Sequence, residues 1–355
     1  MGAADEPNGL VARRLASQLL TGAPARSPEA VVGRLLAVQA QDGRGARLGI
    51  RARSAGLVAA DVDRALSVTR SLVVSWLNRG TLHLVASADY WWLHALTTPR
   101  LAAGNERRLR QEGVSPAQTE RGVAVVTEAV VSNGPQTRAQ LRDRLDDAGI
   151  PTAGQALVHL LFAASLRTQV VRGPVIGTEQ GFVSAPDWLG DRPDSLDRDE
   201  ALARLARRYL AGHGPAAPAD LAKWAGITIR DARLGFQSIA EELTPMRGDL
   251  VVAGPAEAAS TPAPRLLGAF DELLHGWASR EPIVGPHVGV VTTNGIFRPV
   301  VLVDGRAVGT WTLPGGVVSI RSLEPIPRRA LGALVTEGAD VLRFLGLPDK
   351  PVVFG

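Results

Sequence analysis

Asn133-Gly134-Pro135-Gln136-Thr137-Arg138-Ala139-Gln140-Leu141 is written a second time, loosely, as His213-Gly214-Pro215-Ala216-Ala217-Pro218-Ala219-Asp220-Leu221. The Gly-Pro pair and the Leu recur at one constant offset. Each copy follows an apolar helical stretch, 123–131 in one case and 202–210 in the other, and each leads into a short amphipathic helix. The first copy adds a helix over 152–166 and then two short apolar runs, 168–171 and 181–184, that read as a hairpin. Helix, Gly-Pro turn, helix, helix, hairpin is the order of a helix-turn-helix carrying a β wing.

Working outward, the same order is legible upstream. Val11, Leu15 and Leu19 form a helical stripe. Ser27 as N-cap, Pro28 at the first helical position and Glu29 in the first turn predict a second helix. Its apolar face carries Val32, Leu35, Leu36 and Gln39, and Gly43 is its expected stop. A third helix is predicted over 59–67. The runs 72–77 and 81–85, joined by Asn78-Arg79-Gly80, then predict a hairpin whose Gly supplies a positive φ. Ser87-Ala88-Asp89 is expected to cap a helix through Tyr90-Trp91-Trp92, an aromatic stretch read as core rather than as a base-stacking platform. Downstream, Asn294-Gly295 and Asp304-Gly305 are hairpin turns between the apolar runs 287–291, 300–303 and 307–311, and a closing helix spans 330–345. The expected fold class is α+β and mostly helical, with three tandem winged-helix domains and an appended C-terminal antiparallel β unit. The expected boundaries are 1–120, 121–194 and 195–355, with a polar junction at 187–199.

Bulk properties bound the function. A chain of 355 residues exceeds what one core usually organises. Cys is absent, which excludes disulfides, iron–sulfur clusters and thiolate zinc sites and fits a reducing, cytoplasmic setting. No apolar run approaches the roughly 18 residues of a membrane span. Residues 1–9 carry Asp5 and Glu6 without an apolar segment, so they are read as a short frayed tail rather than a signal peptide. The net charge is +4, and Lys223 and Lys350 are the only lysines among 39 basic residues. Arg forks phosphate oxygens well, so the balance permits nucleic-acid binding. With two lysines outside any obvious site, Schiff-base chemistry is disfavoured.

Motif absences prune further. There is no HExxH, GxSxG, Walker A or clean GxGxxG. The six His residues (83, 94, 159, 213, 275, 287) show no ligand spacing, so neither a metal nor a cofactor is expected. The adjacent acids Asp271-Glu272 project in different directions on a helix or a strand and are set aside as a catalytic pair.

Leu35-Leu36-Ala37-Val38-Gln39-Ala40-Gln41-Asp42 contains a Gln–apolar–Gln triplet. Trp76-Leu77-Asn78-Arg79-Gly80-Thr81-Leu82-His83-Leu84 forms a hairpin signature. Leu266-Leu267-Gly268-Ala269-Phe270-Asp271-Glu272-Leu273-Leu274 and Val301-Leu302-Val303-Asp304-Gly305-Arg306-Ala307-Val308-Gly309-Thr310-Trp311 follow in order. Together these resemble the motifs of the AlkZ-like tandem winged-helix DNA glycosylases of the azinomycin-resistance type, across nearly the whole chain. The 266–274 segment resembles that family's late helix, and 301–311 its late β elements.

The resemblance implies a glycosylase that hydrolyses bulky N7-alkylguanine adducts or interstrand crosslinks, with Gln39 and Gln41 as its catalytic pair. It also implies a concave arrangement of the three domains, open enough for a lesion too large to be flipped into a tight pocket. The chemistry is self-consistent. An amide is no general base near neutral pH, but it can orient water and turn its oxygen to developing positive charge. N7-alkylation already activates the leaving base. Residues two apart share one side of an extended strand but not of a helix, so the helix is expected to end near Gln39 and leave Gln41 in a turn.

The expected DNA contacts are Asp42, Asn78, Arg79 at the hairpin tip, His83 in the adjoining strand and Arg298 in the late hairpin. The expected partner is duplex DNA carrying alkylated guanine, the chain acting as a monomer. Self-resistance to a genotoxic natural product is the implied role. A non-catalytic winged-helix regulator, or a protein-interaction scaffold, fits the same domains. A regulator has no need of the Gln pair and is expected to dimerise on a palindrome, for which no heptad segment is present.

Overall fold

A computed structural model describes residues 7–193, 197–254 and 262–355. The expected frayed tail lies outside the described residues up to residue 6, and helix α1 (Pro7–Ser17) already begins at Pro7. Helix α2 (Pro28–Leu35) starts as predicted: the Ser27 hydroxyl accepts the Ala30 N–H at 3.1 Å, with Pro28 and Glu29 in the first turn.

α2 stops sooner than its apolar periodicity predicts. Leu36 takes φ +67° and is fully buried, and the chain turns extended through strand β1 (Val38–Gln39). Gly43 is not the stop of α2 but the first residue of helix α3 (Gly43–Arg51), which the sequence reading missed. Close backbone packing accompanies the early stop. A Cβ on Gly212 would lie 2.4 Å from the Arg34 carbonyl oxygen, so another helix passes almost in backbone contact with the end of α2.

Helix α4 (Ala59–Ser67) precedes the predicted hairpin, formed by β2 (Leu72–Leu77) and β3 (Thr81–Ala86). The strands are antiparallel, with Ser75 opposite His83 and Leu77 opposite Thr81. Both Arg79 (φ +57°) and Gly80 (φ +77°) take the left-handed conformation at the tip. Helix α5 (Ser87–Thr97) follows, but Ser87 does not cap it. Ala86 holds the N-cap without a side-chain bond, and Asp89 instead accepts the Trp92 indole N–H at 2.9 Å.

The chain continues through α6 (Ala102–Gln111), α7 (Pro116–Asn133), α8 (Arg138–Asp147), α9 (Ala156–Leu166), β4 (Val170–Ile176), β5 (Glu179–Ser184) and the short α10 (Ala185–Leu189). α7 and α8 each begin with a reciprocal capping box, Ser115 with Gln118 and Thr137 with Gln140. The second copy of the repeat comprises α11 (Arg198–His213), α12 (Pro218–Ala225), α13 (Ile229–Gln237), β6 (Leu243–Pro245) and β7 (Val251–Ala253).

The two copies agree in a detail the sequence did not spell out. Gln136 exchanges both backbone hydrogen bonds with Phe182 of β5 (2.9 and 2.7 Å). Ala216, at the equivalent position, does the same with Val251 of β7 (3.1 and 3.0 Å). In each copy the turn segment is thus clipped to the hairpin that follows. The expected junction at 187–199 is partly helical, in α10 and α11, and partly outside the described residues at 194–196.

The remaining elements are β8 (Arg265–Leu267), α14 (Glu281–Val284), β9 (Val300–Val303), β10 (Arg306–Thr312), β11 (Ser319–Ser322), α15 (Arg328–Phe344) and β12 (Val353–Phe354). The five strands form one sheet in the order β12-β11-β10-β9-β8, antiparallel except for β11 with β12. The turn between β9 and β10 is the predicted Asp304-Gly305, both at positive φ (+51° and +79°).

Two late expectations fail. The run 287–291 is not a strand: Val288–Val290 is a 3-10 turn, and only a single bridge joins Val291 to Phe297 around Asn294-Gly295. Pro286 precedes it without an N–H, and Gly289 interrupts it without a side chain to pack. Nor is 266–274 a helix. It is β8, then a turn with Phe270 at φ +56°, then a 3-10 turn over Glu272–Leu274.

By packing, the chain divides into two compact units: residues up to Val62 with Arg198–Gly355, and Asp63–Asp197. The inner unit packs Trp76 between Phe162 (5.5 Å) and Phe182 (6.4 Å). Tyr90, Trp91 and Trp92 are buried in it. The outer unit packs α11 against α2 and α13, and lays α3 and α15 on β8. The fold is α+β.

Candidate active site

In the outer unit the Gln–apolar–Gln triplet sits between the end of α2 and the start of α3. Gln39 is buried, Ala40 is buried and Gln41 is exposed. Asp42, also exposed, is the N-cap of α3, and its carboxylate accepts the Gly45 N–H. Asp42 therefore has a structural task in addition to any contact with DNA.

The segment carrying Asp271 and Glu272 is pressed against this corner by two glycines. A Cβ on Gly45 would lie 2.2 Å from the Ala269 carbonyl oxygen, and one on Gly268 would lie 2.8 Å from that of Gly45. Only glycine allows two backbones so close. The two acids then part. Asp271 turns to α3's C-terminal side, where Arg53 forks it at 2.7 and 2.9 Å, both side chains fully buried. Arg53 also reaches Gln18 Oε1 at 2.7 Å. Glu272 turns to the Gln–apolar–Gln triplet: its Oε1 accepts the backbone N–H of Gln39 at 2.6 Å, and its Oε2 accepts the Trp224 indole N–H at 3.3 Å.

A second ion pair braces α3 from below. Arg51 contacts Glu337 and Asp340 of α15, each at 2.9 Å, and donates to the Leu266 carbonyl at 2.7 Å. Burial pulls the Arg51 guanidinium down, but Glu337 and then Asp340 outweigh it and hold it above the ordinary arginine value.

Arg298 is exposed, on a loop tied to the same segment. The Phe270 N–H donates to the Phe297 carbonyl at 3.3 Å, and the rings of Phe270 and His275 lie 5.8 and 3.9 Å from that of Phe297. Gln39, Gln41, Asp42 and Arg298 thus belong to one unit and hang on one scaffold. Asn78, Arg79 and His83 belong to the inner unit. There Arg79 is half-buried at the hairpin tip, His83 is buried with Nδ1 2.9 Å from the Thr81 carbonyl, and Asn78 is fully buried.

Among the described residues no group of three or more His, Asp or Glu is arranged to hold a metal ion. Lys223 is exposed on α12, and Lys350 donates to the Gly315 carbonyl at 2.8 Å. No helix among the described residues is long and apolar enough to cross a membrane.

Comparison with known proteins shows what the chain is similar to. The family model "DNA glycosylase AlkZ-like" matches residues 32–344. The chain belongs to the AlkZ-like DNA glycosylase family. An interstrand DNA cross-link repair glycosylase of Streptomyces sahachiroi is 30% identical, with 96% of each chain covered. The solved structure of the Streptomyces sahachiroi DNA glycosylase AlkZ superposes with a TM-score of 0.81 at 26% identity, covering 98% of this chain and 99% of that one. As a member of the AlkZ-like family, this chain places its Gln–apolar–Gln triplet on a buried polar scaffold. Of that scaffold the sequence offered only the acidic pair. Arg53 and Trp224 carried no motif signal, because their importance lies in partners 218 and 48 residues away.

Proposed function

We propose that this chain is a monofunctional DNA glycosylase that hydrolyses the N-glycosidic bond of bulky N7-alkylguanine in duplex DNA, interstrand crosslinks included. Gln39 and Gln41 are its catalytic pair. The observation that carries the reading is the backbone that leaves the helix at Leu36 and runs extended through Val38–Gln39, with the Gln39 N–H held by a buried carboxylate, in a chain of this family. With the helix ended at Leu35, Gln39 and Gln41 are not forced to opposite sides as they would be on a helix, so both amides can address one sugar.

The chemistry asked of them is modest. The leaving N7-alkylguanine is cationic and departs neutral, so no general acid is needed. One amide orients the attacking water, and an amide oxygen faces the oxocarbenium-like sugar. The water adds to C1′ as the C1′–N9 bond breaks, and the water's surplus proton passes to solvent. The exposed Lys223 and the tethered Lys350 fit water, rather than an amine, as the nucleophile.

The modular reading belongs here too. Helix, bridged turn, helix, helix and hairpin occur in 121–194 and again from residue 195, which supports winged-helix modules in both. The helices and hairpin of 1–120 supply a third. On this reading Arg79, Asp42 and Arg298 serve DNA contact, whereas Asn78 and His83, expected from the sequence to do so, have no exposed surface and instead belong to the packing of the hairpin that carries Arg79. The relative from Streptomyces sahachiroi, a cross-link repair glycosylase by name, supports a role in removing bulky or crosslinking lesions, as in self-resistance to a genotoxic natural product.

The test is release of modified guanine from a duplex carrying a bulky N7-alkylguanine. Gln39→Ala and Gln41→Ala are each expected to slow single-turnover release by about 100-fold or more while duplex affinity is unchanged. Wild-type rates in both variants would remove the assignment. Tight, sequence-specific binding without release by the wild type would favour a regulator.

A further inference from the structure

We infer that Glu272 is a positioning residue for the glycosylase reaction, acting through the backbone of Gln39. The inference rests on the assignment of Gln39 to the reacting sugar. Glu272 has no exposed surface, and a carboxylate taken out of water is costly unless its oxygens are engaged. Both are engaged in this corner of the fold. Oε1 receives the Gln39 N–H at 2.6 Å and Oε2 the Trp224 indole N–H at 3.3 Å. His213 Nε2 lies 4.0 Å from Oε2.

The surroundings fix the carboxylate in place. Its 3-10 turn begins at Asp271, whose Oδ1 accepts the Leu273 N–H at 3.0 Å while Arg53 forks the same side chain. The Glu272 carbonyl accepts the His275 and Gly276 N–H groups at 3.1 and 2.9 Å. Trp224 is itself fully buried, and the His213 ring stacks on Tyr209 at 4.7 Å with Nδ1–H directed to the Tyr209 carbonyl at 3.1 Å. The acceptor offered to Gln39 is therefore rigid, and it sits 233 residues away in sequence.

A short hydrogen bond from an N–H to a fixed oxygen is directional, and it helps set the height of the strand that carries the amide. β1 has only two residues, and Gln39 is one of them. Misplacing a catalytic group by about 1 Å costs on the order of 100-fold in rate.

Two conservative variants separate positioning from charge. Glu272→Gln keeps an oxygen at the same reach and removes the charge. Its amide has one oxygen for two donors, and the longer Trp224 bond is the one given up. Glu272→Asp keeps the charge but withdraws the oxygens by one methylene. Single-turnover release from duplex DNA with a bulky N7-alkylguanine is measured for both, beside Gln39→Ala, with duplex affinity and thermal midpoint.

Glu272→Gln is expected to stay within about fivefold of wild type and Glu272→Asp to fall by about 100-fold, both with unchanged affinity. The reverse order would overturn the inference in favour of a purely electrostatic role. Equal wild-type rates in the folded fraction of both variants would overturn it in favour of a core residue alone. Full activity in Gln39→Ala would instead remove the assignment on which the inference stands.

Discussion

Gly45 illustrates how much a single residue carries. Its missing side chain lets the start of α3 touch the Ala269 backbone, and with it the segment that holds Asp271 and Glu272. A backbone atom cannot swing aside as a side chain can. Gly45→Ala is therefore expected to lower stability by about 3 kcal/mol and to slow base release beyond what the lost folded fraction explains. Urea denaturation and single-turnover rates on the same preparation check both; an unchanged midpoint would show that the corner tolerates the extra methyl. Arg53 makes the complementary point with charge. It and Asp271 are wholly buried, so each depends on the other, as well as on Gln18 and the Gly49 carbonyl. Among the readable residues, Gln39, Gln41 and Asp42 were visible because they stand together. Arg53, Trp224 and the role of Glu272 were not, because hydrogen-bond partners distant in sequence leave no local pattern.

At the scale of elements, α5 and α9 are joined through His94, whose Nε2 lies 3.2 Å from the Ser165 carbonyl. Burial pushes the imidazole down, the Ser165 carbonyl opposes this, and the charge of Arg192 adds to the lowering, leaving it at about 4. An unfolded His titrates near 6.5. Between those values the unfolded chain binds a proton that the native chain refuses. The contribution is thus complete above about pH 6.5 and is lost as pH falls toward 4, by roughly 3 kcal/mol in all. Urea midpoints at about pH 7 and about pH 5 are expected to differ in the wild type, and to differ less in His94→Asn. Equal shifts in both proteins would place the acid sensitivity elsewhere. Elements with their own signals formed where expected: the start of α2, α4, the β2–β3 hairpin, the β9–β10 turn and α15. α3 was missed because an apparent helix stop, Gly43, is the first residue of the next helix.

For the whole molecule, the relevant quantity is charge. A net charge of +4 carried almost entirely by Arg favours phosphate contacts, and their number sets the salt dependence of binding. Duplex affinity is expected to fall linearly on a log–log plot against salt. Arg298→Ala and Arg79→Ala should each lower that slope by about 1 if the residue meets a phosphate, whatever the sequence of the duplex. Fluorescence anisotropy across a salt series measures this directly. An unchanged slope would assign the residue to the protein's own packing. The two compact units were not legible in the sequence: a division in which residues up to Val62 join Arg198–Gly355 depends on contacts between the two ends of the chain.

The sequence by itself determined the repeated order of helix, Gly-Pro turn, helices and hairpin, the β2–β3 and β9–β10 turns, the family and the Gln–apolar–Gln triplet. Each of these is local: a cap, a turn dipeptide or a period lies within a few residues of its effect. Only the tertiary structure decided where α2 ends, that the 266–274 segment is a strand and turns rather than a helix, and that two adjacent acids serve different partners. Those outcomes depend on close backbone approach at Gly45, Gly212 and Gly268, and on buried charges meeting across the fold. Packing density and desolvation act between residues without regard to their distance along the chain, so no stretch of sequence encodes them alone.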